Sequence, residues 1–405
     1  MADKVPNCLA PFLNHAYNTG MYNLEQYFLL DPHIVFLNHG SFGACPKPVF
    51  TAYQQWQARL EQQPVLFLGR ELARYDQTAR QTLATYLNTQ AHNLVIITNA
   101  THGVNIIARS LRLQPGDEIL TTDHEYGACD YTWEYICQQT GASYVRQAIP
   151  LPVVSSAQIS EALWQAVTPR TRVIYLSHIT SPTALCFPVK EICQSARQQG
   201  ILTVVDGAHA PGQINIDLSA LGADFYTGNC HKWMLSPKGA AFLFAQPEAQ
   251  TLLEPLVVSW GYHPTPDTTS GSRFIDLFQW SGTRDPAAVL SVPAALEFMQ
   301  AHQWDTVRHQ CHQLLVSAID RVCQLVAAPP LYPLDSDLFF QMGIAPLPAQ
   351  VNLSELKSRL YNEAGIEVPL IAWNGQNFIR ISIQGYNRPS DIDQLIDALQ
   401  RVLLL

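Results

Sequence analysis

Two short apolar, β-rich runs near the middle of the chain each end in a polar group capable of chemistry. The first, over 201–206, closes on Asp206 and continues through Gly207, Ala208 and His209. The second, over 224–227, leads through Gly228, Asn229, Cys230 and His231 to Lys232. Buried strands with polar C-terminal tips place ligands at that edge of an open α/β sheet. A carboxylate and an amine at neighbouring tips are the equipment that pyridoxal phosphate requires. The lysine forms a Schiff base, and the aspartate keeps the pyridinium nitrogen protonated so that the ring accepts electrons. Taken singly, Asp206 also reads as a helix N-cap and Lys232 as a solvated surface cation. Their order and setting carry the cofactor reading.

Other polar stations fall at comparable places. A strand over 94–98 runs into Asn99, Ala100, Thr101, His102 and Gly103 and then a helical pattern. Free N–H groups at a helix start, with the Thr101 hydroxyl, make a phosphate seat, although Thr101 would also serve as a plain cap. Neither GxxxxGK[ST] nor a GxGxxG after a strand occurs, so the usual nucleotide signatures are missing. The strand over 118–121 leads to Asp123, His124, Glu125 and Tyr126, where a ring would stack on a flat cofactor. Adjacent Asp, His and Glu side chains seldom converge on one metal, and His309 and His312 lie on a polar helical stretch, so zinc is disfavoured. His178 follows the strand over 172–177 and is expected to face the same crevice, though strand-end histidines are often structural. Arg380 sits within the apolar run 378–383. A buried guanidinium needs an anion, either a structural Asp or Glu or a substrate carboxylate.

The elements that position these groups alternate. Strands are expected over 94–98, 118–121, 143–147, 172–177, 201–206, 224–227 and 240–244, separated mostly by helical stretches, which implies a mostly parallel α/β sheet with helices on both faces. Helices are expected over 48–62 and 70–87, and a tight glycine-rich loop over 36–46. Residues 245–286 read as a long ordered loop, followed by a helical run over 287–326. Beyond it come strands over 338–342 and 378–383 and helices over 353–363 and 390–403. The expected organisation is an N-terminal arm (1–37), a large cofactor-binding α/β domain (38–290) and a small C-terminal α+β domain (291–405).

The 405 residues suffice for a large core, and 47% apolar with 14% charged residues fits a folded α/β enzyme. A net charge of −9 without any basic block makes nucleic acid and anionic membrane poor partners. The nine cysteines are scattered without CxxC pairs, and the first residues lack an apolar signal core. The expectation is a reduced, cytoplasmic protein.

In order and spacing, the segments LNHGSFGACP, Gln63-Pro64-Val65, TNATHGVN, TTDHEYGA, SHITSPTALCFPV, VVDGAHAPG, TGNCHKW, WSGTRDP and IRISIQGYN are similar to one family across nearly the whole chain. They resemble the class V aminotransferases among fold-type I pyridoxal phosphate enzymes, in the branch typified by isopenicillin N epimerase. The resemblance implies the fold-type I architecture, with a seven-stranded sheet and a smaller C-terminal α+β domain. It implies pyridoxal 5′-phosphate as cofactor, with Lys232 as Schiff-base lysine and proton shuttle and Asp206 at the ring nitrogen. His209 would approach the ring hydroxyl, and Tyr126 would stack, with His124 as second choice. Thr101, His102, Asn229 and His231 would seat the phosphate, and Thr283 would reach the phosphate of a neighbouring subunit in a homodimer. Arg380 would grip the α-carboxylate of an amino acid substrate, with Asn38 and His39 near it, and His178 would contact ring oxygen or substrate.

Within that family a desulfurase needs a mobile cysteine shortly before the carboxylate-binding arginine, and this chain has none after Cys323. Epimerisation or racemisation, transamination, and β-elimination from a cysteine-like substrate by a C–S lyase share one site, so the motifs do not choose among them. A non-catalytic homologue that binds the cofactor is the reading from another class, and a metal hydrolase the third. Specificity is expected in loops around 60–70 and 255–285, where Arg70, Arg273 and Arg284 are candidates to meet a second carboxylate, although exposed arginines are usually just solvated.

Overall fold

The computed structural model describes residues 23–266 and 268–403, so most of the expected arm lies outside the described residues. Seven strands build the central sheet: β1 (Leu94–Ile97), β2 (Glu118–Thr122), β3 (Ser143–Gln147), β4 (Thr171–Ser177), β5 (Leu202–Asp206), β6 (Phe225–Asn229) and β7 (Ala241–Ala245). Their spatial order is β1-β7-β6-β5-β4-β2-β3, and only β7 runs antiparallel to its neighbours. All seven expected strands form, with ends shifted by at most two residues. Strands β1, β2, β6 and β7 are buried at every position. Such continuous apolar runs belong to a sheet covered on both faces. Val173, Tyr175, Val204 and Phe225 pack on one face, and Ile174, Leu176, Val205 and Tyr226 on the other. By the two-residue alternation of strands, Asp206 falls on the Val204 face.

The segment 245–286 is not the unbroken loop expected. It contains a helix, Arg273–Gln279, that buries Phe274, Ile275 and Phe278. Those three apolar positions have helical spacing, masked in the sequence by flanking Pro, Gly and Thr. The helix also closes the β1 edge, where Gln279 Oε1 accepts the Ile96 N–H at 3.3 Å. An edge strand with an unpaired donor would otherwise template association. The helical run expected over 287–326 divides into Ala287–Leu290, Val292–Ala301 and Trp304–Leu325. Pro293 lacks an N–H and so starts the second helix, while Gln303 at φ 51° separates it from the third. Val292–Ala301 packs on the helices Lys47–Gln62 and Leu72–Tyr86. We propose on that ground that the division between large and small units lies at Gln303 rather than 290.

The C-terminal unit is an antiparallel sheet in the order β9-β10-β8, formed by β8 (Met342–Leu347), β9 (Leu370–Trp373) and β10 (Gln376–Ser382), with helices Leu353–Ala364 and Pro389–Leu403. The strand expected over 338–342 is displaced to β8, where Gly343 and Pro346 obscure the pattern; an edge strand tolerates such a proline. From the other end of the chain, Val35–Phe36 pairs in parallel with Ile366–Glu367, and the Ser382 N–H reaches the Leu37 carbonyl at 3.0 Å. The next residues, expected as a loop, form a short helix His39–Phe42 that ends at Gly43.

Gly43 is held at φ 73° and ψ 160°, a conformation essentially reserved for glycine. A Cβ there would lie 2.3 Å from the His231 carbonyl oxygen and 2.9 Å from the Lys232 Cα. Gly43→Ala is therefore expected to lower unfolding stability by about 3 kcal/mol through backbone strain and the clash. Urea denaturation monitored by tryptophan fluorescence measures the loss, and an unchanged midpoint would show that the turn at Lys232 yields freely.

Candidate active site

Asp206 and Lys232 leave adjacent parallel strands at the C-terminal edge of the sheet, β5 at its last residue and β6 through the turn after Asn229. Asp206 is buried, and its Oδ1 accepts the Ala208 N–H at 2.9 Å. The Tyr175 hydroxyl and Cys129 thiol approach its Oδ2 at 3.4 and 3.6 Å. Burial raises the Asp206 carboxyl above its ordinary range, against the pull of the Ala208 N–H and Lys232. Burial likewise lowers the Lys232 amine, to about 8, while Asp206 draws it back up and Arg380 adds to the lowering. The amine is thus brought within reach of its free-base form near neutral pH. Lys232 Nζ lies 3.1 Å from His209 Nε2, and the Trp233 indole N–H donates to His209 Nδ1 at 3.3 Å.

The helix Ala100–Ser110 opens toward the same sheet edge. Asn99 caps it by accepting the His102 N–H at 2.8 Å, and Asn229 Oδ1 accepts the Ala100 N–H at 2.9 Å. Asn229 thus ties the helix start to the tip of β6. Of the sequence-derived phosphate residues, Thr101 sits in this first turn, and His102 turns back to the Thr98 hydroxyl at 3.1 Å. His231 bonds the Ala240 carbonyl through Nδ1 at 3.2 Å, and burial holds its imidazole down to about 4. Tyr126 is 46% exposed at the N-cap of the helix Gly127–Thr140. Thr283 is exposed.

Arg380, in β10, is 5% exposed. Its Nη1 donates to the Ser181 carbonyl and, at 3.3 Å, to the Ser181 hydroxyl; its Nη2 donates to Ser41 Oγ at 3.3 Å. All these acceptors are neutral, and the buried Nε has no partner among the described residues. Burial lowers the guanidinium to about 10. The structural Asp or Glu that sequence alone left open is not among the contacts found. Asn38 stands one step behind, accepting the Ser41 hydroxyl and donating to Glu367 Oε1 at 2.8 Å. His39 is wholly buried, joining the Tyr386 hydroxyl at 3.0 Å to the Lys232 carbonyl at 3.1 Å, and so braces the lysine turn.

Two further histidines are not brought to the lysine. His178 continues the face of Leu176, opposite Asp206, where its Nδ1 meets the Tyr226 hydroxyl at 2.9 Å. It lines a cavity of about 410 Å³ with Phe187, Asn215 and Phe340. His124 is bonded on both sides, to Thr183 Oγ1 at 2.6 Å and the Ile149 carbonyl at 2.7 Å, leaving Tyr126 as the ring open to solvent. Sequence reasoning missed Ser41, Ser181, Trp233, Cys129 and Tyr175. Only Tyr175 had a readable signal, since it pairs with Val204 and so shares the face of Asp206.

The residues fit a flat, anionic, aldehyde-bearing heterocycle such as pyridoxal phosphate. They supply a desolvated amine, a buried carboxyl at the next strand tip, a capped helix start and an unsatisfied guanidinium. Glu125 was likewise overlooked as a buried acid. Its carboxylate accepts the Ser177 N–H at 2.7 Å and the Thr122 hydroxyl at 2.8 Å, yet burial raises it from 4.5 to about 8. A carboxyl raised on folding contributes stability that is full below its unfolded value and lost as pH rises through its folded value. Glu125→Gln is therefore expected to match the parent chain in acid and to become the more stable of the two as pH climbs from 4.5 to about 8. Urea midpoints at several pH values test this, and a gap independent of pH would refute it.

The family described as "Aminotransferase class-V" matches residues 39–337. Isopenicillin N epimerase of Amycolatopsis lactamdurans is 34% identical over 95% of this chain and 99% of its own. A probable chloroplastic L-cysteine desulfhydrase of Arabidopsis thaliana is 28% identical, covering 91% of this chain and 83% of its own. Among solved structures, a C-DES mutant with glycine covalently linked to its pyridoxal phosphate cofactor superposes with a TM-score of 0.78 at 21% identity, over 93% of this chain and 98% of that one. The fold is that of the fold-type I enzymes, and the chain belongs to the class-V aminotransferase family as an enzyme whose cofactor is pyridoxal 5′-phosphate.

Proposed function

We propose that this enzyme acts at the α-carbon of an amino acid and exchanges its configuration. The observation that carries the amino acid is Arg380, a buried guanidinium with neutral oxygens around it and an unmet Nε. A substrate α-carboxylate supplies the missing anion, with Ser41 and Ser181 holding the guanidinium plane in place. The cofactor, when bound, stabilises the electron pair left on Cα after a bond to it breaks. Lys232 would hold the cofactor and, with substrate in place, its Nζ would take the Cα proton, a proton returned to the opposite face completing the exchange; an amine lowered to about 8 is matched to that task. Asp206 would hold the ring-nitrogen proton and Thr101, His102, Asn229 and His231 would hold the phosphate, while His209 stands 3.1 Å from the amine. The 34% identity to an epimerase over nearly the whole of both chains supports configuration exchange.

The second reading is β-elimination from a cysteine-like substrate, which the 28% identical desulfhydrase supports. It needs the same proton abstraction and a leaving group. We further propose a cytoplasmic homodimer in which the exposed Thr283 reaches the partner's phosphate seat. Trp260, 84% exposed beside exposed Val257 and Val258, is an apolar stretch suited to such a contact. Every cysteine among the described residues is a free thiol, which supports a reducing compartment.

Purified protein is expected to turn yellow with pyridoxal phosphate and to interconvert D- and L-forms on an amino acid panel, resolved by chiral chromatography. Pyruvate release without interconversion would replace configuration exchange by elimination. Lys232→Ala is expected to stay colourless, and a visible band that survives dialysis in that variant and is bleached by borohydride would remove the anchor role. Arg380→Lys is expected to raise KM roughly 10- to 100-fold by losing the paired bonds to a carboxylate. An unaltered KM would move carboxylate binding elsewhere.

A further inference from the structure

We propose that Trp233 is a positioning residue for the lysine: its indole N–H fixes His209 as the Nε2–H tautomer, and His209 in turn holds the Lys232 amine in its uncharged, nucleophilic form. This deepens the reading of Lys232 as covalent anchor and rests on it. An indole nitrogen donates and never accepts. Trp233 Nε1 lies 3.3 Å from His209 Nδ1, so that nitrogen must present its lone pair. A neutral imidazole carries one proton, which then sits on Nε2. Nε2 faces Lys232 Nζ at 3.1 Å. With the ring as donor, Nζ has to accept, and an ammonium group has no lone pair with which to do so.

The surroundings keep the imidazole neutral. His209 is 3% exposed, and burial above all, with the Arg380 guanidinium adding to it, holds it well below its ordinary range. Around the amine, Asp206 and Cys129 favour the ammonium, whereas burial and Arg380 oppose it. The donor is itself immobilised. Trp233 is fully buried, its ring lies 4.9 Å from that of His39, and a Cβ on Gly212 would fall 2.2 Å from its carbonyl oxygen. Replacing the indole by phenyl keeps most of this packing but removes the donor. The imidazole proton is then free to move to Nδ1, and Nε2 becomes an acceptor that favours the ammonium.

The test uses the cofactor-free full-length chain and reads the amine directly. Lys232 labelling by trinitrobenzenesulfonate is followed against pH by peptide mass spectrometry. The Trp233→Phe midpoint is expected about one pH unit above the parent value, with near-UV circular dichroism confirming a folded variant. A folded variant with an unmoved midpoint overturns the proposal, because a purely structural tryptophan would change stability and not this titration. Should the variant not fold, ¹⁵N-resolved NMR of the His209 ring in the parent chain decides. A proton on Nε2 and a bare Nδ1 are expected, and the opposite tautomer overturns it. The two readings fail separately: colourless protein with a normally shifted Lys232 removes the anchor, whereas an unmoved midpoint removes only the relay.

Discussion

The rest of the site depends on keeping one lysine turn out of water. An amine buried without full charge compensation resists protonation, but only if the backbone carrying it cannot swing outward. Here the turn is gripped from several directions. His39 bonds the Lys232 carbonyl from the N-terminal side of the chain, as does the Leu235 N–H at 3.1 Å from within the turn. Gly43 and Gly212 bring two further backbone segments so close that a methyl group on either would overlap the turn. The Ser236 N–H returns to the Cys230 carbonyl at 3.0 Å and closes it. Gly43, expected within a glycine-rich loop, thus serves close packing against the Lys232 turn, as does Gly212.

Electrostatics follow from that burial. Asp206 is raised by burial although Lys232 draws it down. A protonated ring nitrogen placed against it would add a second opposite charge and pull the carboxyl toward its ionised form. Carboxylate and cofactor cation would then stabilise each other, and neither would be favoured alone in so dry a setting. The same logic governs Arg380, whose neutral partners orient the guanidinium without quenching it. Glu125, one layer deeper, takes the opposite course: with no cation among the groups acting on it, it rises to about 8 and is held by hydrogen bonds alone.

Much of this was legible in the sequence, because buried parallel strands are written as uninterrupted apolar runs and their polar ends stand out. Asp206 and Lys232 stand out that way at and just beyond the tips of β5 and β6, whereas Arg380 stands out as a lone charge within the apolar run of the antiparallel β10. What escaped notice depended on side-chain direction across elements distant in the chain. His39 lies between Tyr386 and Lys232, and His178 follows the strand alternation onto the face of Tyr226. A strand-end residue is ambiguous in one dimension, since one more residue reverses its face. The helix Arg273–Gln279 and strand β8 were hidden by proline and glycine, which mark loops in general but are tolerated at helix flanks and sheet edges.

The segment before Arg380 bears on which chemistry the family scaffold can run here. Strands β9 and β10 meet through Asn374 and Gly375, both with positive φ (46° and 72°), a two-residue turn that matches strand twist. The hairpin is docked: the Trp373 indole N–H reaches the Asp123 carbonyl at 2.9 Å, Asn374 Nδ2 reaches Asp123 Oδ2 at 2.8 Å, and the Trp373 ring lies 4.3 Å from His124. A persulfide route needs a thiol on a loop that travels to the substrate, whereas this chain places a fastened hairpin without cysteine ahead of its arginine. Cys129, the thiol beside Asp206, is buried and held well above its ordinary range, chiefly by burial and then by Asp206 itself. Neither position supplies a thiolate, which sets the fastened hairpin apart from the thiol-bearing loop that a persulfide route requires.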